Sequence, residues 1–234
     1  MNTRTWVVIG VVVALGFWWS QRVPDAPAAA QGASVQCPPP PRVTDGDAPL
    51  QSPVPGDFTQ IRLAPATLQP LAGFSLDARV LSREDYTLGR ESDLSPTDLA
   101  LGWGRMREDA VLSQLSISQS NRWYHYRWQG APPIPVKEIV RSSANMHMIP
   151  ASPEAAKQLA SVREGDRVRI DGWLVEADAP DGWRWQFDDA RGQRQRRVRS
   201  RLRLFDFARV TRRPARQPEE DAGQRQHQTE HSER

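Results

Sequence analysis

An uncharged apolar run from Trp6 to Trp19, flanked by Arg4 and Arg22, opens the pattern of the chain. A bilayer core favours Val, Ile, Leu and Phe by a few tenths of a kcal/mol each and penalises charges several times more. The 14 residues of the run fit a signal-peptide core of about 7 to 15 better than a spanning helix of about 20. Thr5, Ser20 and Gln21 lengthen the uncharged stretch, and Phe17-Trp18-Trp19 has the make-up of an interfacial belt. The expectation is an uncleaved anchor at 1–22 that meets the membrane through residues 6–21. Cleavage near Ala26-Pro27-Ala28-Ala29-Ala30 is the competing reading, and burial as a soluble core helix is the third.

Residues 23–56 lack periodicity and are rich in proline, including Pro38 to Pro41. They read as an extended, solvated spacer with a reach of about 100 Å at about 3 Å per residue. A patterned body occupies 57–210, and a polar, disordered tail 211–234.

Within the body, Phe74 to Leu81 alternates with period two, as a half-buried strand does. Ser95-Pro96-Thr97-Asp98 has the form of a helix start, with a capping serine, proline at the first helical position and an acid in the first turn. A short helix over Leu99-Ala100-Leu101 follows, ended by Gly102-Trp103-Gly104, with another over Glu108–Leu115. Ile117 to Trp128 reads as a strand dense in aromatics. Ser152-Pro153-Glu154 starts a helix through Val162 with Ala156, Leu159 and Ala160 inward, and Glu164-Gly165-Asp166 turns the chain. Val168 to Val175 makes a strand, paired through an Asp181-Gly182 hairpin with Trp183 to Phe187. Gly172 inside that strand has the character of a bend or bulge.

These elements predict an α+β, β-rich body, and the glycine-interrupted strand points to a small, partly open five-stranded barrel with helical insertions. Arg163 to Val175 resembles the fourth strand of OB-like barrels. Leu94 to Gly104 together with Ser143 to Ala151 resembles a group of uncharacterised, membrane-anchored bacterial envelope proteins with an OB-like domain, over about residues 74–186. That resemblance implies no established activity and assigns no catalytic residue. The chain departs from its pattern after Trp185, where a final apolar strand is expected and the sequence turns basic.

The net charge of +3 conceals a segregated chain, because residues 191–216 hold 11 arginines against one acid, Asp206. The remainder then carries 20 basic (31 − 11) and 27 acidic (28 − 1) residues, a balance of −7. The arginine run supports three readings. It is a surface for nucleic acid or anionic lipid through Arg191, Arg194, Arg196, Arg197, Arg199 and Arg201, a solvated tail beyond a final strand at 198–207, or the product of out-of-frame translation of a GC-rich gene. The single cysteine, Cys37, excludes an internal disulfide framework and most zinc sites, and its surroundings lack a lipoprotein box.

Candidate chemistry is sparse, and no metal or cofactor site is expected. His147 follows Ser142 and Ser143 and is flanked by Met146 and Met148, a setting that admits either a hydrolase centre or a soft-metal ligand as well as an ordinary hydrogen-bonded histidine. Alternation over Arg122–Trp128 places Trp123, His125 and Arg127 on one face, with the other face, Tyr124, Tyr126 and Trp128, turned to the core. Trp103, Trp123, Arg127, Asn145 and His147 are the candidate ligand-binding residues, with no catalytic set. The leading expectation is a non-enzymatic binding or assembly module tethered to the inner membrane by one pass. Sparse flanking charges place the amino terminus in the cytoplasm and the body in the periplasm, in contact with an envelope protein. A nucleic-acid binder using 191–216 and a hydrolase centred on His147 are the alternatives.

Overall fold

Residues 3–20, 43, 48–58, 60–185, 204–206 and 211–213 are described by a computed structural model of the chain. Helix α1 (Thr3–Ser20) precedes β1 (Leu50–Ser52), β2 (Ile61–Arg62) and the 19-residue β3 (Thr67–Asp85). Next come α2 (Arg90–Leu94), β4 (Thr97–Gly102), a 3-10 turn (Gly104–Arg107), α3 (Asp109–Leu112) and the strands β5 (Ser116–Ser120) and β6 (Trp123–Arg127). The chain continues through α4 (Val136–Arg141), β7 (Ser143–Ile149), α5 (Pro153–Ser161), β8 (Arg167–Asp178), β9 (Arg184–Trp185), β10 (Leu204–Asp206) and β11 (Thr211–Arg213). The fold is α+β and strand-rich.

β3 organises the sheet. Its length lets one half pair with β8 from Thr67 to Arg79 while its far end pairs with β4 from Arg79 to Asp85. The register shifts at Leu71 and again at Leu81, and such bulges bend a strand and increase its twist. β4 pairs antiparallel with β7 along its full length. β10 lies parallel to β7 and antiparallel to β8, and the sheet order is β1-β3-β4-β7-β10-β8-β11 with β3 also against β8. The sheet does not close into a barrel: among the described residues β7 and β8 do not pair with each other and are linked through the three residues of β10.

Three apolar clusters follow from the alternation. Phe74, Leu76, Leu99, Leu101, Met146, Met148, Val168 and Ile170 pack inside the curve of the sheet, with Leu159 of α5. Leu68, Trp173, Val175 and Ile149 form a second cluster, with Phe58, Trp183 and Trp185 against it. The third lies on the opposite surface, where Leu81, Ala100 and Ile139 meet Tyr124. Burying side chains of this size stabilises by about 1.5 to 3 kcal/mol each.

Several expectations hold. Phe74 to Leu81 lies within β3, and Ser152 caps α5, its Oγ accepting from the Ala155 amide at 3.1 Å. Gly165 and Gly182 take the positive φ values of 86° and 87° that their turns need.

Others are corrected. Thr97–Leu101 is a fully buried strand, not a helix, because it lies between two partners that satisfy its backbone on both sides. Buried sheet placement overrides the helix-start signal of Ser95-Pro96. Ile117–Trp128 is a hairpin rather than one strand, broken by Asn121 and Arg122 at φ 50° and 65°. The principal partner of β8 is β3, with Arg184 and Trp185 pairing only Ala177 and Asp178. The bend assigned to Gly172 lies instead at Leu71 on the partner strand. The spacer is not wholly solvated: Leu50–Ser52 pairs with Gly73–Ser75. Buried Val43 donates its amide to Ser75 Oγ at 3.0 Å and accepts from Arg169 Nη2 at 2.9 Å. The remainder of 23–56, Cys37, the six arginines from Arg191 to Arg201 and most of 211–234 lie outside the described residues.

Among the described residues no helix is long and apolar enough to cross a membrane. α1 is 18 residues, or about 27 Å, and Thr5 to Ala14 are exposed all around it.

Gly102 ends β4 where the chain doubles back into the 3-10 turn. A Cβ there would stand 2.4 Å from the Met106 carbonyl oxygen, an atom that cannot move without the turn. Gly102→Ala is expected to destabilise by about 1 to 3 kcal/mol, read as a lower urea midpoint at unchanged slope; an unaltered midpoint would show that the turn yields freely.

Candidate functional site

The sheet surface beneath the β5–β6 hairpin carries a polar cluster in an otherwise apolar setting. Asp98 on β4 and Asn145 and His147 on β7 are all fully buried. Strand alternation explains their company: Leu99, Met146 and Met148 point to the inner cluster, so the residues between them face the hairpin. Antiparallel register sets Asp98 directly opposite His147.

Arg122 completes the cluster from the hairpin tip. Its Nη1 donates to Asp98 Oδ1 and to the Ser95 carbonyl, each at 2.8 Å, and its amide donates to Tyr86 Oη at 3.0 Å. The guanidinium lies 3.8 Å from the Tyr86 ring centre, a cation–π geometry. Two successive left-handed residues make the tight turn whose twist matches a hairpin. A non-glycine residue pays for that conformation with roughly 1 to 2 kcal/mol, and the bonds made by Arg122 hold it there.

Asn145 Nδ2 donates to Asp98 Oδ2 at 3.2 Å and to the Arg122 carbonyl at 3.1 Å, while Asn145 Oδ1 accepts from Gln119 Nε2 at 2.6 Å. His147 Nδ1 approaches Asp98 Oδ1 to 2.7 Å without the alignment of a hydrogen bond, so the contact is one of charge and dipole. His147 Nε2 is buried with no hydrogen-bond partner among the described residues. The Trp185 ring packs 5.2 Å from the imidazole and Trp183 lies 5.8 Å beyond it. At the edge, Arg90 grips Asp181 with two 2.6 Å bonds and lies over Trp183.

The electrostatics follow. Burial, and then the Asp98 carboxylate, push the Tyr86 phenol above its ordinary range. Burial raises the Tyr124 hydroxyl further. The Arg90 hydrogen bonds hold the exposed Asp181 carboxyl down at about 2.

An acid beside a histidine is the orienting half of a catalytic triad, and among the described residues no hydroxyl bonds to His147 Nε2. Ser143 shares its face four residues away, about 13 Å along the strand, and donates to the Ile139 carbonyl. Met146 and Met148 point away from His147, which removes the soft-metal reading, and among the described residues no cluster has metal-ligand make-up.

Of the predicted ligand residues, Asn145 and His147 are brought together, sealed from solvent. Trp103 is buried beside Leu99 and Leu101. Trp123 and Arg127 share the exposed outer face of the hairpin. Asp98, Arg122, Gln119, Tyr86 and Trp185 were missed. A lone carboxylate amid Thr97-Asp98-Leu99-Ala100-Leu101 was the available signal for the first, and Asn121, tolerant of the left-handed region, for the turn that aims Arg122. Comparison of the chain with protein-family models, with curated proteins and with solved structures gives no match.

Removing one partner of a buried pair leaves an uncompensated charge. Arg122→Ala is therefore expected to destabilise by about 3 to 5 kcal/mol in chemical denaturation, whereas Arg90→Ala should have little effect; equal effects would contradict the burial difference. In a carboxyl NMR titration, Arg90→Ala should raise Asp181 from about 2 towards the ordinary aspartate range, with the Trp183 amide still holding it below that range. The pair is exposed and screened, so the stability it adds above the unfolded pKa of Asp181 is small, and that contribution disappears as pH falls towards 2.

Proposed function

We propose that the chain is a membrane-tethered, non-enzymatic binding or assembly module of the bacterial cell envelope, in the group of membrane-anchored envelope proteins that it resembles. The carrying observation is α1: Val7, Val8, Val11, Val12 and Val13 are each more than half exposed, together with Trp6. An apolar helix exposed on every side over its described side chains, Thr5 to Ala14, has lipid as its natural solvent. At about 27 Å it is slightly short of a hydrocarbon core of about 30 Å. Local thinning and snorkelling of flanking residues accommodate such a mismatch. The amino terminus is then cytoplasmic and the sheet periplasmic, with residues 6–21 in lipid.

The body is read as a partly open OB-like barrel. Support comes from β3 pairing both β4 and β8, the parallel placement of β10 against β7, and α5 between β7 and β8. The buried, charge-balanced setting of His147 favours binding over catalysis. Affinity for single-stranded nucleic acid through 191–216 is the alternative, and it would weaken steeply with salt.

Membrane fractionation tests the tether. The full chain should sediment with membranes and resist high salt, and a variant without residues 1–22 should be released. Full-length protein in the soluble fraction would overturn the reading. Cys37 lies on the far side of the anchor from Met1, so a membrane-impermeant maleimide should label it in intact spheroplasts. Labelling only after lysis would reverse the orientation.

A further inference from the structure

The β5–β6 hairpin has two unlike faces. Ile117, Gln119, Tyr124 and Tyr126 turn to the sheet, with Tyr124 buried in the outer apolar cluster. The opposite face sets three serines against three large planar side chains in register: Ser116 opposite Arg127, Ser118 opposite His125, and Ser120 opposite Trp123. The serines, Trp123 and Arg127 are exposed and His125 is half-buried. The small row beside the tall row makes a shallow trough about 13 Å long from the first to the fifth residue of each strand.

Trp123 is 42% exposed, and among the described residues beyond α1 it is the one exposed aromatic. An indole face at the surface is large, rigid and amphipathic, the kind of side chain that anchors a partner. The trough is also held rigidly: Arg122 fastens the tip to Asp98, Gln119 bonds to Asn145, and Tyr124 fills the core. A platform ordered in advance binds without having to be ordered by its ligand.

We infer that this outer face of the hairpin binds a polysaccharide strand. A pyranose has an apolar C–H face that matches the Trp123 indole, and a rim of hydroxyls that matches the donors and acceptors of Ser116, Ser118, Ser120 and His125. Ser120 Oγ lies 3.4 Å from His125 Nε2, close enough for one ligand hydroxyl to bond to both. Arg127 supplies one permanent cation and none of the six residues is acidic, which suits a neutral or sparsely acidic sugar chain. A polyphosphate backbone calls for several cations along its track. The inference stands on the hairpin and does not require the tether.

Co-sedimentation of the full-length protein, in detergent, with purified cell-wall sacculi tests it. Wild type should pellet with the sacculi at moderate salt. Trp123→Ala should weaken binding by roughly tenfold or more, as loss of an aromatic anchor does, and Ser118→Tyr should block the trough to a similar extent. Trp123→Phe should retain part of the affinity. Each site is exposed, so thermal unfolding of all three variants should match wild type within a few degrees. Binding equal in wild type and in both disruptive variants would overturn the inference. So would failure of the wild type to pellet, or salt-sensitive capture of oligo-dT in place of the sacculi. Membrane fractionation reads the tether separately, so failure of either reading is recognised by itself.

Discussion

The ion pair between Arg122 and Asp98 is the constraint on which the outer half of this molecule depends. Asp98 is fully buried on a central strand, where an unpaired carboxylate would be strongly destabilising. Its compensation comes from a residue 24 positions later that is itself held in the left-handed region. The charge, the turn and the hairpin are therefore mutually dependent. The sheet needs a cation over Asp98, and the hairpin delivers one only when its tip is folded. Tyr86, Ser95 and Asn145 add bonds to both partners, so the pair is satisfied on several sides. That is the condition under which a buried ion pair specifies one arrangement instead of weakening it.

The same cluster accounts for the setting of His147. An imidazole beside a buried aspartate has the outline of a catalytic pair, yet its second nitrogen has no hydrogen-bond partner among the described residues, and Trp185 covers the ring. Polar residues on this sheet surface hold the hairpin in place. The surface free to meet a ligand is displaced outward onto the hairpin's other face, where Trp123 and Arg127 stand in register with serines. On the proposed reading, the inserted hairpin moves the ligand surface away from the sheet that supports it.

Division of labour along the chain has a simple physical basis. The exposed apolar helix has little to gain from the body, whose apolar clusters are filled by their own strands. The end of the segment between helix and body is tied to the sheet by Val43 and β1. Arginine is concentrated beyond residue 190, leaving the rest of the chain net acidic.

Local pattern by itself determined the elements whose signals are local. The period-two run at Phe74–Leu81, the Ser152 cap with Pro153 and the turns at Gly165 and Gly182 were all legible because each rests on near neighbours and backbone geometry. Only the tertiary structure decided the remainder. Thr97–Leu101 carries a fair helix-start signal and became a strand because β3 and β7 flank it. Asp98 passed for a capping acid because its counter-charge lies beyond a turn, and Asn145 and His147 could be named without their partners being foreseen. Pairing of distant segments depends on contacts between residues far apart in sequence, and no window along the chain contains both members of such a pair.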